Sequence, residues 1–390
     1  MSSPTALVGL RSPTRYMPQL EALRGWAILL VVAFHYFGIL FNGGAGGLPE
    51  GSPLWLRVAA AGNTGVTLFF VLSGFLLTQP FILALRNSEQ ISFASFYSAR
   101  LLRIVPLYYC AVLIAWLVSP SSSALKALLF IPIGFDIFPF SVPWWSLCTE
   151  MQFYVLLPWL MLALRYRSGR YWLAGIGLVW LTLHCYYFLQ PNWLASKQTL
   201  WLQSSVFGRG PAFLIGALCS YLYLGRGFAW LSSSPKSLAL LSISLMISLL
   251  ALLQWYGSVG QTRALQLMPL YHGVEALLWG GMLLCSLGWH GKLAALPLSP
   301  LFSHFGTISY SLYLVHVPLQ FYLIYPVKVA SGKAFSPASI ESLAAIAGSF
   351  LLSWLLAVIC YHVIERPFLR LKSHLPVLVT GKSLERPARA

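Results

Sequence analysis

Long apolar stretches occupy most of the chain, and polar or charged residues interrupt them at fairly regular intervals. A helix needs roughly 20 consecutive, mostly apolar residues to cross a bilayer. The pattern predicts an all-α integral membrane protein with about ten transmembrane helices. The runs are Ala22–Phe41, Thr64–Leu85, Leu101–Ser119, Trp145–Leu164, Trp172–Leu189, Ser205–Leu224, Ser237–Tyr256, Leu270–Gly288, His304–Tyr325 and Ser342–Ile364. A further apolar stretch, Leu125–Pro143, contains three prolines and is predicted to form a short or re-entrant helix.

Composition supports a lipid environment. Of the 390 residues, 58% are hydrophobic and only 9% are charged, whereas soluble domains carry about 25% charged residues. The net charge of +16 is spread between the apolar runs, so we predict the lipid bilayer as partner and no nucleic acid. With a cytoplasmic N-terminus, 18 positive charges lie inside and six outside, a bias that predicts a cytoplasmic N-terminus and a cytoplasmic C-terminus. The predicted organisation is a cytoplasmic segment 1–15, a membrane domain 16–371 and a basic, flexible tail 372–390.

The first apolar run carries three ionisable residues. Glu21 and Arg24 lie near its start, and His35 follows eleven residues after Arg24. In a helix that spacing is about three turns, which places Arg24 and His35 on nearly the same face, roughly 16 Å apart. Ionisable side chains inside a membrane are candidate functional residues. The alternatives are a histidine that only hydrogen-bonds between helices and an ordinary boundary arginine.

Two further groups are candidates for ligand binding. Arg100 and Arg103 stand at i, i+3 spacing where the third run begins, and two guanidinium groups on one face suit a phosphate or pyrophosphate. Topology alone also places arginines in short cytoplasmic loops. Glu150 lies about two turns into the fourth run, beside Trp145, which belongs either to an interfacial aromatic belt or to a sugar-stacking wall.

Later runs add Arg209 and Glu275 toward the predicted outer side and His316 near mid-membrane. No His and carboxylate cluster has the spacing of metal ligands, so no metal site is predicted. This arrangement places arginines on the inside, an imidazole at mid-depth and a polar chamber on the outside. It suits the transfer of a group from a cytoplasmic phosphorylated donor to an acceptor on the other side. It suits a proton-coupled transporter almost as well.

Six motifs occur in the order found in one known family. The chain resembles the membrane acyltransferase family 3, the multi-spanning O-acyltransferases of polysaccharides, peptidoglycan, Nod-factor-like oligosaccharides and some small molecules. The motifs are LEALRGWAILLVVAFH, FFVLSGFLLT, FYSARLLRIVPLY, WWSLCTEMQFYVLLP, ISYSLYLVHVPL and ERPF. They include the family's Arg–x10–His pattern at Arg24 and His35 and its RxxR pattern at Arg100 and Arg103, and they extend over nearly the whole chain.

The chain also departs from the family pattern. Glu21 and Ala22 replace the usual aspartate and glycine before the first arginine, and Gly-Pro-Ala follows Arg209 where many members have an aromatic or acidic residue. The second departure points to a different acceptor. The esterase-like domain of some members is absent from this sequence. We therefore expect the chain to act alone or to hand its product to a separate extracytoplasmic transferase.

The resemblance implies an acyl-CoA co-substrate, usually acetyl-CoA, with no permanently bound cofactor, and a carbohydrate or glycan hydroxyl as acceptor. It implies a multi-pass protein of the bacterial cytoplasmic (inner) membrane. Arg100 and Arg103, with Arg24, are then candidates for binding acyl-CoA. His35 is the candidate general base or acyl carrier, and Glu150 would orient it or bind the acceptor. Candidates for acceptor binding or proton transfer are Trp145, Arg209, Glu275 and His316.

One alternative function belongs to a different class. A proton-coupled transporter or flippase would use His35, Glu150 and Arg209 as a proton relay. A transporter of a neutral solute does not need a pair of arginines that binds phosphate. In that case Arg100 and Arg103 are expected to be dispensable.

Overall fold

The computed structural model describes residues 17–41, 47–190, 201–225, 228, 234–267, 270–289, 299–332, 336–371 and 379–380. Over these residues the fold is helical. The helices are α1 Pro18–Leu40, α2 Leu54–Ala60, α3 Thr64–Asn87, α4 Phe93–Val118, α5 Ser123–Leu128, α6 Trp144–Leu164, α7 Arg167–Phe188, α8 Val206–Tyr223, α9 Pro235–Val259, α10 Gln261–Gln266, α11 Leu270–Gly288, α12 Ser299–Thr307, α13 Ser309–Ser331, α14 Ile340–Cys360 and α15 Arg366–Leu371. The predicted segment 1–15 lies outside the described residues, as does the tail 372–390 except for Val379–Thr380.

Nine helices of the described ranges are long and apolar enough to cross a membrane. They are α1, α3, α4, α6, Trp201–Tyr223, α9, α11, α13 and Ile340–Leu371. The all-α membrane fold is therefore confirmed. The predicted span Trp172–Leu189 is not among the nine, although α7 is helical over all of it except Leu189. Arg167, Arg170 and His184, together with tyrosines and tryptophans, make this helix more polar than the others.

The broken stretch after α4 contains the short helix α5 and then turns. Ser123–Leu128 is helical, and residues 129–143 follow without a longer helix. Prolines at 132, 139 and 143 explain this, because a proline inside a helix removes a hydrogen bond and clashes with the preceding turn. Of the predicted short or re-entrant helix Leu125–Pro143, only Leu125–Leu128 is helical, so the prediction is wrong for most of the stretch.

Helix α3 is the centre of the bundle. In its most apolar window 72% of the residues are buried, against 17% for α9, whose exposed leucines face outward as lipid-facing residues do. At the contact of α3 with α8, Gly74 packs on the carbonyl of Phe213 and Gly216 packs on the carbonyl of Val71, with no room for a Cβ at either glycine. Small residues let membrane helices approach closely, so this contact fixes α8 against α3.

Polar side chains of α13 bond to α1 at several levels. Ser309 Oγ accepts from Arg24 Nη2 at 3.1 Å, Gln320 Nε2 donates to the Val32 carbonyl at 3.2 Å, and Lys328 Nζ donates to the Ile39 carbonyl. With His316, Ser309, Gln320 and Lys328 form what we call the α13 ladder. These bonds fix the position of α1 along its axis.

The last helix changes its winding near its end. Between α14 and α15, residues Tyr361–Glu365 form a π-helical turn. Beyond the helix, Val379–Thr380 pair with Gln90–Ile91 as a two-stranded antiparallel sheet, with Gln90 opposite Thr380. The second strand thus lies beside the loop that joins α3 to α4.

Candidate active site

Three arginines and a glutamate line one cavity. Arg24 from α1, Arg100 and Arg103 from α4, and Glu150 from α6 all face a cavity of about 810 Å³, a volume that includes its open mouth. The i, i+3 spacing places Arg100 and Arg103 on one face of α4. Ser92 caps this helix by accepting from the Ser95 amide, so the helix begins about two turns before the first arginine. The structure thus brings together residues separated by more than 100 positions.

Each arginine has a different set of contacts. Arg24 is held by Glu21 Oε1, 3.4 Å from Nη1, and by Ser309. The Arg100 guanidinium lies 5.8 Å from the centre of the Phe96 ring, and its buried Nε has no hydrogen-bond partner within the described ranges. Arg103 lines the same cavity and makes no hydrogen bond to any described residue. Two of the three guanidinium groups therefore keep donors available to a ligand.

Glu150 is bound by two hydroxyl groups. Ser73 Oγ donates to Glu150 Oε1 at 2.6 Å, and the Tyr154 hydroxyl donates to the same oxygen at 2.7 Å. No hydrogen bond joins Glu150 to His35 in the described part of the chain. Within the described residues, the His35 ring contacts the Val31 carbonyl and His316 and does not contact Glu150.

Two histidines form a contact pair between α1 and α13. His316 Nε2 lies 3.2 Å from His35 Nδ1, and the ring centres are 4.9 Å apart. His35 Nδ1 is also 2.9 Å from the Val31 carbonyl, and His316 Nδ1 is 3.0 Å from the Leu312 carbonyl. Since a carbonyl only accepts, both Nδ1 atoms carry hydrogen when the rings are neutral. His316 Nε2 then accepts from His35, and the Nε2 lone pair of His35 is free of protein partners in the described ranges.

An aromatic side chain connects this pair to the cavity. Tyr313 lines the cavity, and its ring centre lies 5.9 Å from that of His316. The Tyr313 hydroxyl is 2.6 Å from Ser146 Oγ, which also faces the cavity, and donates to the Pro143 carbonyl at 3.0 Å. The ring of Tyr313 thus separates the histidine pair from the arginine-lined cavity.

A second buried polar cluster contains Arg209, His272 and Glu275. Arg209 Nη1 lies 2.7 Å from His272 Nε2, and His272 Nδ1 lies 2.9 Å from Glu275 Oε2. Thr67 Oγ1 also donates to Glu275, at 2.7 Å. The imidazole therefore donates from Nδ1 and accepts at Nε2, so it links the cation to the anion. Trp145 belongs to this cluster, because its ring centre is 5.2 Å from the Arg209 guanidinium carbon.

One buried carboxylate was missed by the sequence analysis. Glu365 belongs to the ERPF motif but is not among the candidate site residues from the sequence, and only 3% of it is exposed. Ser311 Oγ donates to Glu365 Oε2 at 2.9 Å. The ERP sequence resembles a helix terminator and gives no signal that a π-helical turn precedes the proline.

The chain is similar in sequence to several known proteins. The family described as an acyltransferase domain matches residues 17–358. Among curated relatives, YrhL of Bacillus subtilis strain 168 is 30% identical over 166 residues, which are 37% of this chain and 23% of that protein. Peptidoglycan O-acetyltransferase OatA of Listeria monocytogenes is 25% identical over 203 residues, 44% of this chain and 30% of OatA. Acyltransferase MdmB of Streptomyces mycarofaciens is 28% identical over 200 residues, 47% of this chain and 49% of MdmB.

The chain matches only part of each relative's length. The matched regions cover between about a quarter and a half of each relative's own length. No solved structure matches the chain. The family match, in contrast, covers most of the 390 residues, from α1 to the last turn of α14. The chain therefore belongs to acyltransferase family 3.

Proposed function

We propose that this protein is a membrane O-acyltransferase that moves an acyl group, acetyl being the expected one, from cytoplasmic acyl-CoA to a hydroxyl of a carbohydrate or cell-envelope glycan. The single observation that carries the proposal is the free Nε2 of His35, in a histidine pair that the ring of Tyr313 separates from a cavity lined by three arginines. Family membership and the name of the OatA relative support the reaction class.

The arginine-lined cavity supplies the donor site. Guanidinium groups bind phosphate oxygens in a bidentate, planar geometry. Arg100 and Arg103 have donors available, while Arg24 is anchored by Glu21 and Ser309 at the same cavity. Acyl-CoA carries several phosphates on one end and a neutral thioester on the other. In this proposal the phosphates bind at the arginines, and the thioester reaches toward the histidine pair past Tyr313.

His35 acts as the general base. Its Nε2 takes the proton of the acceptor hydroxyl as the oxygen attacks the thioester carbonyl, so that a C–O bond forms and the C–S bond breaks. The proton then passes to the departing CoA sulfur, which leaves as a thiol and restores neutral His35. The Val31 carbonyl and His316 orient the ring. An acyl-imidazole intermediate would use the same nitrogen and would be detected by mass spectrometry of the stalled enzyme.

The second polar cluster supports an acceptor site. Trp145 lies over Arg209, and an aromatic face beside buried hydrogen-bonding groups is suited to a sugar ring. In the proposal, Arg209, Glu275 and Glu150 contact the acceptor hydroxyl groups. The relatives named for peptidoglycan O-acetylation make a cell-envelope glycan the first acceptor to test.

The test uses purified protein in nanodiscs and measures acetyl-CoA binding together with CoA release. Arg100→Ala/Arg103→Ala is expected to lose binding, and His35→Ala is expected to bind normally but to turn over roughly 10²- to 10⁴-fold more slowly. A matched control is available on α7. Arg167 and Arg170 have the same i, i+3 spacing, but they are exposed. The variant Arg167→Ala/Arg170→Ala is expected to behave as wild type.

Several results would overturn the proposal. If the wild type neither binds nor consumes acetyl-CoA or longer acyl-CoAs, then acyl-CoA is not the donor and the proposal is refuted. If the Arg100→Ala/Arg103→Ala variant keeps its function and vesicles show proton-dependent solute uptake, the result would instead favour a transporter. Equal loss of binding in the control arginine pair would show that the effect is not specific to the cavity.

A further inference from the structure

Tyr313 lies at the end of the arginine-lined cavity that faces the histidine pair. Ser309 marks the level of the arginines along α13, because its Oγ accepts from Arg24 Nη2 at 3.1 Å. Tyr313 follows about one helical turn later, and His316 follows about one turn after that, with a rise of roughly 5 Å per turn. Among the described residues of α13, Ser309 and Tyr313 line the cavity and His316 does not. On this helix the cavity therefore ends at the ring of Tyr313.

The Tyr313 ring is held in place by hydrogen bonds and by packing. Its hydroxyl lies 2.6 Å from Ser146 Oγ and donates to the Pro143 carbonyl at 3.0 Å, so it is anchored at the start of α6. The side chain is buried, and the Phe69 ring meets it edge-on with 6.3 Å between the ring centres. Displacing the ring would cost both close packing and hydrogen bonds.

This position of Tyr313 bears on the size of the group that can be transferred. In the proposed reaction the thioester carbonyl has to come within reach of His35 Nε2 while the phosphates stay at the arginines. The acyl chain then lies beside the Tyr313 ring, whose centre is 5.9 Å from that of His316. A fixed ring at this point leaves room for a short chain and collides with a longer one, because packed interiors do not accept extra methylenes without strain.

We propose that Tyr313 is the specificity-determining residue that restricts the donor to a short acyl group. The ring sets the limit by its volume, and the anchoring of its hydroxyl at α6 keeps the ring in position. This inference rests on the proposed function for acyl-CoA as the donor and for His35 as the base. It adds the part of the site that limits the length of the acyl chain.

Tyr310 provides a matched control on the same helix. It also lines the cavity, and its hydroxyl likewise donates to a backbone carbonyl, that of Ile104, at 2.6 Å. It follows Ser309 directly and so lies at the level of the arginines, where the proposal places the phosphates. Truncating Tyr310 therefore removes the same phenol group from the cavity but leaves the approach to His35 unchanged.

The test measures kcat/KM in nanodiscs for acetyl-CoA, butyryl-CoA and hexanoyl-CoA, as CoA release with soluble peptidoglycan fragments or water as acceptor. Wild type and Tyr313→Phe, which keeps the ring, are expected to prefer acetyl-CoA. Tyr313→Ala is expected to raise the ratio of kcat/KM for hexanoyl-CoA to that for acetyl-CoA at least about tenfold, because each methylene that a hydrophobic pocket admits or rejects changes kcat/KM by roughly 10- to 200-fold. Tyr310→Ala is expected to leave this ratio within about twofold of wild type.

Three results would overturn the inference. One is a wild type that uses hexanoyl-CoA as well as acetyl-CoA. Another is a folded Tyr313→Ala protein that turns over acetyl-CoA and keeps the wild-type ratio. The third is an equal change of the ratio in Tyr310→Ala, which would show that added space anywhere in the cavity alters the preference. If Tyr313→Ala does not fold, Tyr313→Leu takes its place and is expected to shift the ratio in the same direction.

Failure of the proposed function gives a different result. The wild type would then release no CoA from any of the three donors, and the limit on acyl length would fall with the reaction. The anchoring of the ring is tested without substrate, by thermal unfolding of wild type, Tyr313→Phe, Ser146→Ala and the double variant. Non-additive Tm shifts are expected, because each single variant removes one side of the same contact. Additive shifts would show that Ser146 does not hold the ring.

Discussion

Replacing His316 tests whether the second imidazole orients His35 or moves a proton itself. The His35 Nδ1 hydrogen is shared between the Val31 carbonyl at 2.9 Å and His316 Nε2 at 3.2 Å. A hydrogen bond contributes a net of about 0.5–1.5 kcal/mol, which corresponds to roughly a two- to tenfold rate difference if it is lost in the transition state. The Val31 carbonyl remains in any His316 variant, so the protonation of His35 at Nδ1 is retained.

We therefore expect His316→Gln to lower kcat about two- to tenfold and to leave KM for acyl-CoA unchanged. The measurement is CoA release by the variant in nanodiscs, with Tm recorded to show that the buried site still packs. In a His35→Ala background, the same substitution is expected to have no further effect on the rate. As a control, His362→Gln changes an exposed histidine on the π-helical turn and is expected to be neutral.

A loss of more than about 100-fold in folded His316→Gln would refute this reasoning. A loss of that size is typical of a group that transfers a proton in the transition state. The proton path would then run from His35 to His316. A rate equal to that of wild type would show that the 3.2 Å contact does not orient the ring.

Three further predictions concern stability and the two polar clusters. Glu275→Gln is expected to lower the free energy of unfolding by about 3–5 kcal/mol, because it leaves Arg209 buried without an anion, and thermal unfolding measures this. Gly74→Val is expected to lower Tm strongly through a clash at the α3–α8 contact, whereas Gly175→Ala, at a helix position with open space, is expected to be neutral or slightly stabilising. Tyr154→Phe is expected to cost about 1 kcal/mol by removing one of two hydrogen bonds to the cavity glutamate, measured as a Tm shift.

The apolar pattern predicted most spans to within a few residues, and its errors have physical causes. The predicted run Leu270–Gly288 coincides with α11, and Ser205–Leu224 differs from α8 by one residue at each end. The run His304–Tyr325 was wrong at both ends. A break before Ser309 separates two helices there. Helix α13 continues past Pro326 to Ser331, and Lys328 in this last part bonds to carbonyls at the end of α1.

Some features of the site could also be predicted from the sequence, and others could not. Helical spacing alone predicted that Arg100 and Arg103 share a face. The positions of the apolar runs predicted that His35 and His316 both lie near mid-membrane. They could not predict the 3.2 Å contact, because it depends on how α1 packs against α13. Glu365 could not be found, because a π-helical turn has no compositional signature that distinguishes it from an ordinary helix end.

The α13 ladder has a consequence for how substrates move. Its bonds from Ser309 to Lys328 hold α1 at both ends and between them, so a piston-like slide of α1 would break several bonds at once. In the proposed reaction the helix that carries His35 therefore stays in place, and the acyl group has to reach it. The cavity is bordered by α3, α4 and α6 as well as by α1 and α13, so a movement that admits a substrate is expected in α3, α4 or α6 rather than along the axis of α1.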